Sequence, residues 1–261
     1  MVGRATSLLS AVRSKRAAAA IVLFAVLFVY YEVDSDLWHA GLWWNVLWIA
    51  CVLIPAVFAL VWLALPLQSA RFALPLGAAL ALLAIVLTLA GADILANFAR
   101  LAATSVLGWW FLGYFEQVSW VVLVACIIPW VDAYSVWRGP TKQIIKGNPH
   151  VFDWLSFGFP LPGAQGLFQL GVPDLLFFAL FLGAAARFYL RVPATWLGLV
   201  GALGATIALT VWWDLSGLPA LPGIALGFLV PNADLLWREL RRKPRLRDGA
   251  DVAFRRAPDH R

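Results

Sequence analysis

The stretch Val118–Arg138, VSWVVLVACIIPWVDAYSVWR, decides the class of fold. Its apolar run has the length of roughly 20 residues that a helix needs to cross a bilayer. Asp132 puts a carboxylate near the end of this run. An ionisable side chain at membrane depth is costly unless it is paired, hydrated or neutral, so it indicates a functional site.

The whole chain has the same apolar character. Of its 261 residues, 62% are hydrophobic and 13% are charged, whereas a soluble domain averages about half apolar and about a quarter charged. Fifteen tryptophans fit the interface between lipid and water. The composition predicts an integral membrane protein and argues against a water-soluble domain. Cys51 and Cys126 lie in apolar runs without metal-ligand spacing, and we expect both to be buried.

The apolar runs predict an all-α polytopic bundle of about eight transmembrane helices, with seven to nine as the range. They are Ala17–Tyr31, Leu42–Leu65, Phe72–Ala90, Ile94–Tyr114, Val118–Val136, Leu170–Leu190, Ala194–Trp213 and Leu218–Val230. The chain divides into a basic N-terminal segment (1–16), N-terminal spans (17–117), a second group of spans (118–231) and a basic tail (232–261).

The basic residues predict the orientation. They cluster before the first span and in the tail, which holds nine between Arg238 and Arg261. The positive-inside rule therefore places both termini in the cytoplasm of a multi-pass cell-membrane protein. Arg138, Lys142 and Lys146 then fall outside, against the rule, but the two basic ends outweigh this loop. We expect the tail to contact anionic lipids rather than nucleic acid.

A second carboxylate reaches the depth of Asp132 in this topology. Asp132 lies six residues before Arg138, which puts it about 9 Å below the outer end of the fifth span. Asp174 lies four residues into the sixth span, which enters from the same side. Neighbouring carboxylates share one proton. The ionised partner can take a proton from water while the protonated one polarises a peptide carbonyl. The pair predicts peptide hydrolysis without a metal or a covalent intermediate.

The last span carries a proline-rich segment, Gly217–Gly223, GLPALPG. Two prolines and two glycines disfavour a regular helix there. The simplest interpretation is a kink. The functional interpretation is an opened backbone whose N–H and C=O groups hold an extended substrate.

Three motifs in this order carry a resemblance to a known family. Asp132 in VDAYSVWRGPTK, Asp174 in GVPD and residues 219–222, PALP, resemble the motif set of the presenilin and signal peptide peptidase family of intramembrane aspartyl (GxGD-type) proteases, in a bacterial or archaeal-like form. The resemblance covers roughly residues 118–231, and the predicted orientation is closer to signal peptide peptidase.

The resemblance implies a fold, a set of site residues and a class of substrate. The fold is a presenilin-like helical bundle, usually of nine spans. Asp132 and Asp174 would be catalytic, with no metal and no cofactor. The substrates of such a protease would be transmembrane helices or remnant signal peptides. The implied substrate-binding residues are Gly171, Pro173, Pro219, Ala220, Leu221 and Pro222.

Two departures from the family pattern keep alternatives open. Val131 stands where the family has tyrosine before the first aspartate, and Tyr134, two positions after Asp132, lies about 200° around the helix from that aspartate. Pro173 stands where the family has the glycine before the second aspartate, although a first helical turn accepts proline. The alternatives are a pseudoprotease that binds membrane segments and a proton-coupled transporter.

The remaining acidic and histidine residues predict ordinary roles. Four aspartates near span ends are expected to be solvated or to cap helices; they are Asp93, Asp153, Asp214 and Asp234. The three histidines are scattered, so no metal site is predicted.

Overall fold

A computed structural model describes residues 2–37, 39, 41–69, 72–138, 154–163, 167–215 and 217–241. These residues are mostly helical, and their eight helical segments fall on the eight predicted apolar runs. The first segment is α1, Val2–Val33. The second is α2, Leu42–Trp48, which continues through a π-helical turn, Ile49–Leu53, into α3, Ile54–Ala64. The other six are α4 Ala73–Leu89, α5 Asp93–Leu112, α6 Val118–Arg138, α7 Val172–Arg187, α8 Val192–Trp212 and α9 Leu221–Arg241. Short 3₁₀ turns follow α1 and α3 at Asp34–Asp36 and Leu65–Ser69.

Four helical segments in the described part of the chain are long and apolar enough to cross a membrane. They are Ser14–Asp36, Leu42–Ser69, Val118–Val136 and Val192–Trp212. Ala73–Leu89 is a shorter apolar helix. This number of apolar helices indicates a multi-pass membrane protein.

The predicted limits of the basic end segments do not coincide with helix ends. Helix α1 begins at Val2, so part of the basic N-terminal segment is helical. Helix α9 continues through Pro231 to Arg241, eleven residues beyond Val230, where the last span was predicted to end. Both helices extend past their apolar runs because a helix ends where its backbone geometry changes, whereas a hydropathy run ends at its first polar residues.

The expectation that both cysteines are buried is wrong. Cys51 and Cys126 are exposed on the outside of the bundle. In a membrane protein this position is compatible with a small apolar side chain, because the surface that faces lipid is itself apolar.

An antiparallel hairpin lies between α6 and α7, so the all-α prediction is incomplete. Strand β1, Ser156–Pro160, pairs with β2, Leu167–Gly171, in the register that sets Ser156 opposite Gly171. The sixth span was predicted to begin at Leu170, but its helix begins at Val172. The ladder pairs N–H and C=O groups between the strands, which lets extended backbone lie inside a protein of this class.

Helix α7 occupies the centre of the bundle. It contacts α5, α6, α8 and α9. Its side chains from Phe178 to Ala185 are all buried. Because α7 carries Asp174 in its first turn, the elements that surround α7 also fix the position of this carboxylate.

Glycines allow the helices around α7 to approach closely. A Cβ on Gly198 of α8 would lie 2.4 Å from the carbonyl oxygen of Gly227 on α9, and a Cβ on Gly108 of α5 would lie 2.7 Å from the carbonyl oxygen of Leu176. Small residues at such crossings replace the hydrophobic driving force, which is absent between helices in lipid. These contacts set the distance between α8 and α9 and the distance between α5 and α7.

Candidate active site

The Asp132 carboxylate is bound at the start of α9. Oδ2 of Asp132 accepts a hydrogen bond from the backbone N–H of Leu221 at 3.0 Å. Leu221 is the first residue of α9, and the first N–H groups of a helix have no partner within the helix. Asp132, partly buried on α6, therefore caps α9 from another helix. The positive end of the helix dipole favours a negative charge at this point.

Asp174 lies in a similar position at the start of α7. It is the third residue of this helix, and its carboxylate accepts a hydrogen bond from the backbone N–H of Gly171, just before the helix. This bond resembles the half of a capping box in which an acidic side chain reaches back over the first turn. A Cβ on Gly171 would lie 3.3 Å from Oδ2 of Asp174, so glycine leaves room for the carboxylate.

The two aspartates are brought together. Their carboxylates interact electrostatically, and helix α6 contacts both α7 and α9. Two like charges this close disfavour full ionisation of both groups. Chemically, the pair can hold one proton between two carboxyl groups, each of which is oriented by a backbone N–H at a helix start.

The PALP residues lie before and at the start of α9, which corrects the prediction of a helix opened within the last span. Residues 217–220 are not helical, and Leu221 and Pro222 are the first two residues of α9. Proline fits here because the first-turn N–H groups need no helical acceptor. The N–H of Leu221 is occupied by Asp132, and prolines have none. The expectation that this segment offers free N–H groups to a substrate is therefore wrong for Pro219, Leu221 and Pro222.

The predicted substrate-binding residues of the PALP segment separate into two pairs. Ala220 and Leu221 are buried, at 7% and 3% exposure. Pro219 and Pro222 line an apolar groove of about 660 Å³ between α8 and α9, which Ala133 of α6 also borders. Ala133 follows Asp132 in the chain, so the groove reaches the neighbourhood of the first carboxylate.

Pro173 occupies a position that accepts proline. It is the second residue of α7 and is exposed. The prediction that a first helical turn would accommodate it is confirmed. The departure at Val131 also lies away from the carboxylates, because Val131 and Tyr134 are 55% and 66% exposed on the outside of α6.

Two of the other aspartates lie at helix ends, as predicted: Asp93 is the first residue of α5, and Asp214 lies in the turn after α8. Asp234 differs, because it lies within α9 and pairs with Arg191 at 2.7 Å. Asp153, His150 and Lys142 of the GPTK motif lie outside the described residues. Within the described ranges, no group of three His, Cys, Asp or Glu residues is placed to hold a metal ion.

Sequence reasoning missed the residues that hold the hairpin. Asn97 of α5 is buried and bonds to the backbone of Gly158 in β1 through both of its amide atoms. Arg100, one turn further along α5, donates to the carbonyl oxygen of Ser156 at 2.6 Å. The available signal was a pair of polar residues, three positions apart, inside an apolar run.

Comparison with protein-family models, with curated proteins and with solved structures gives no match.

Proposed function

We propose that this protein is an intramembrane aspartyl protease of the presenilin and signal peptide peptidase type, with Asp132 and Asp174 as its catalytic pair. The observation that supports this most is the interaction between the two carboxylates, each bonded to a backbone N–H at the start of a helix. The arrangement unites the three sequence motifs, because Leu221 belongs to PALP and Gly171 to GVPD.

The proposed reaction is the addition of water to a peptide bond. The ionised carboxylate takes a proton from water as the water oxygen bonds to the carbonyl carbon, and the protonated carboxyl group gives its proton to the carbonyl oxygen. The resulting diol breaks its C–N bond as the leaving nitrogen takes a proton from the carboxyl group that has just gained one, while the other carboxylate takes a proton from a hydroxyl group of the diol. One product ends in a carboxyl group and the other in an amine, and the pair again holds a single proton.

The proposed substrates are single transmembrane helices or remnant signal peptides. The groove beside Asp132 has an almost wholly apolar lining that includes Pro219, Pro222 and Leu226. An apolar segment in extended form suits such a surface, whereas a charged peptide does not. Gly171 and Pro173 are proposed to border the substrate on the side of α7.

The proposed setting is a bundle of eight spans in the cell membrane with both termini in the cytoplasm. Arg187 and Arg191 fall on the cytoplasmic side in this topology, as the positive-inside rule favours. The basic tail is proposed to contact anionic lipids at that surface.

The alternative is a pseudoprotease that binds membrane segments without cleaving them. One observation favours it: both aspartates accept hydrogen bonds from backbone N–H groups at helix starts. Such capping bonds stabilise a helix whether or not the aspartate is catalytic. The replacement of the family glycine by Pro173 agrees with it. A proton-coupled transporter could also use two such carboxylates.

A biotinylated, photoreactive transition-state analogue of aspartyl proteases separates these functions. Labelling of the full chain, competed by unlabelled analogue and lost in Asp174→Asn, is expected of a protease, because a competent pair binds such analogues far more tightly than it binds substrates. Absence of labelling would favour the pseudoprotease. Proton-coupled solute uptake into proteoliposomes, without labelling, would favour the transporter.

A further inference from the structure

The outer edge of β1 faces away from β2, as the register requires. Directly opposed residues of an antiparallel pair alternate between those that bond across the ladder and those whose N–H and C=O point outward. The N–H of Val172 bonds to the carbonyl oxygen of Leu155 at 3.0 Å, which sets the phase of the alternation. The residues of β1 whose backbone groups point outward are therefore Ser156, Gly158 and Pro160.

Side chains from the N-terminal helices occupy this edge where another strand would lie. Asn97 donates from Nδ2 to the carbonyl oxygen of Gly158 at 2.8 Å, and its Oδ1 accepts from the Gly158 N–H at 2.9 Å. Pro160 has no N–H to satisfy, which suits an edge position. Further donors to these carbonyl oxygens are Arg100 to Ser156 at 2.6 Å, Tyr31 to Gly158 at 3.0 Å and Tyr30 to Pro160 at 3.4 Å.

The Asn97 pairing fixes the position of β1 along α5. A planar amide that donates to and accepts from the same residue imitates the peptide group of a neighbouring strand. Sliding β1 by one residue would turn the backbone groups of Gly158 toward β2 and break both bonds. Asn97 is 7% exposed, so water cannot readily replace the amide.

Backbone hydrogen bonds connect β1 to Asp174, so the position of β1 affects the position of this carboxylate. Strand β1 pairs with β2 along its whole length, and β2 ends at Gly171. The Gly171 N–H binds the Asp174 carboxylate in the first turn of α7. The Asn97 amide is therefore linked to the Asp174 carboxylate through β1, β2 and the N–H of Gly171.

We infer that Asn97 is a positioning residue for Asp174, which it aligns with Asp132 by fixing the register of the β1–β2 hairpin against α5. The N-terminal helices thereby take part in the site, although their sequence carried no motif. The inference deepens the proposed function and rests on it only for the kinetic part of its test.

The first part of the test measures the hairpin directly and needs no activity. Nitroxide labels are attached to Tyr134→Cys on α6 and Leu167→Cys on β2, both exposed, in a Cys51→Ala, Cys126→Ala background. Double electron–electron resonance then gives the distance distribution in the purified full chain. In Asn97→Leu, the distance distribution between the two labels is expected to shift or broaden by about 3.3 Å, which is the length of one strand residue.

Two further variants separate positioning from folding. Tyr31→Phe removes another donor to the same Gly158 oxygen but leaves the Asn97 pairing, so its distribution should match the parent. Asn97→Asp keeps an acceptor for the Gly158 N–H and loses the donor, so it should give an intermediate distribution and replaces Asn97→Leu if that variant does not fold. An unchanged distribution in the folded Asn97 variants would overturn the inference.

The kinetic part uses the cleavage products of a reporter span. Asn97→Leu is expected to lower kcat at least about tenfold, to leave KM within about twofold because the groove beside Pro219 is untouched, and to spread cleavage over more than one peptide bond. A single unchanged cleavage position with an unchanged kcat would overturn the inference. If the parent cleaves nothing, the proposed function fails, and the spin-label distances still decide the role of Asn97.

Discussion

The backbone nitrogen of Leu221 lies 3.0 Å from Oδ2 of Asp132, and this hydrogen bond joins the start of α9 to α6. It gives the carboxylate one fixed donor, and it gives the first turn of α9 an acceptor that the helix itself cannot supply. A carboxylate held in this way has one oxygen engaged and one left for chemistry. In the proposed protease, Asp132 would therefore have both a structural role at the start of α9 and a catalytic one.

Replacement of Leu221 by proline should remove this bond while keeping the helix start. Proline is well tolerated at the first position of a helix, where its missing N–H has no helical acceptor. Leu221→Ala is the matched control, because both variants lose the buried side chain but only proline loses the N–H. Loss of a hydrogen bond to a charged group is worth about 1.5–3 kcal/mol. We expect Leu221→Pro to cleave a reporter span at least about tenfold more slowly than Leu221→Ala; equal rates would show that the bond is dispensable.

A methyl group at Gly171 should impair the second carboxylate. The added Cβ would lie 3.3 Å from Oδ2 of Asp174 and 3.4 Å from Cδ of Pro173, so the carboxylate has to move. A displacement of about 1 Å at a catalytic group can reduce turnover by about a hundredfold, and the shift required here is smaller than that. Gly171→Ala is expected to remain folded and to cleave a reporter span more slowly than the parent, by less than about a hundredfold.

Gly217→Ala is the control for this variant. No atom lies within 4 Å of a Cβ placed on Gly217, so this change should leave the rate near that of the parent. If Gly171→Ala and Gly217→Ala cleave equally well, the Asp174 carboxylate does not depend on the space at Gly171.

The crossing of α8 and α9 should be sensitive to one methyl group. A Cβ on Gly198 would lie 2.4 Å from the carbonyl oxygen of Gly227, which is backbone and cannot rotate away. Overpacking of this kind costs about 1–3 kcal/mol. We expect Gly198→Ala to lower the thermal unfolding midpoint in detergent, whereas Gly201→Ala on the same helix, with open space around it, should not. Equal midpoints would contradict the close crossing.

Replacement of Pro173 should change the rate little. Pro173 is exposed at the second position of α7, where proline and alanine fit the same backbone. Such an exchange changes stability by about 0.4–1 kcal/mol, which is too small to lower the folded fraction of the protein much. We expect Pro173→Ala to cleave a reporter span within about threefold to fivefold of the parent rate. A large gain in Pro173→Ala or Pro173→Gly would mean that proline restrains catalysis at this site.

The positions of the helices were predictable from the sequence because each falls on an apolar run, although only four of the described helical segments have the length and composition of a membrane span. The approach of Asp132 to Asp174 also followed from the chain order, since consecutive antiparallel spans bring the end of one to the start of the next. Both conclusions depend on side chains that the sequence displays. They required no knowledge of how the backbone is bonded.

The contacts that shape the candidate site were not predictable in this way. The partner of Asp132 is a backbone N–H that lies 89 positions away in the chain, and the partner of Asn97 is the backbone of Gly158, 61 positions away. Nearly every residue type has the same backbone N–H and C=O groups, so the sequence does not show which of them bind a side chain. The hairpin was missed because its strands are five residues each and β2 runs directly into an apolar helix, so hydropathy merges it with that helix.

The most direct test of the catalytic pair is cleavage of a reporter transmembrane span by Asp132→Asn and Asp174→Asn, with Asp234→Asn as the matched control. Asp234 is exposed, pairs with Arg191 and lies about three and a half turns along α9 from Leu221, so its replacement should leave activity near that of the parent. Each asparagine variant of the pair should remain folded and yield no product above background, because an amide cannot exchange the shared proton. Normal cleavage by a folded Asp132→Asn or Asp174→Asn protein would contradict the assignment.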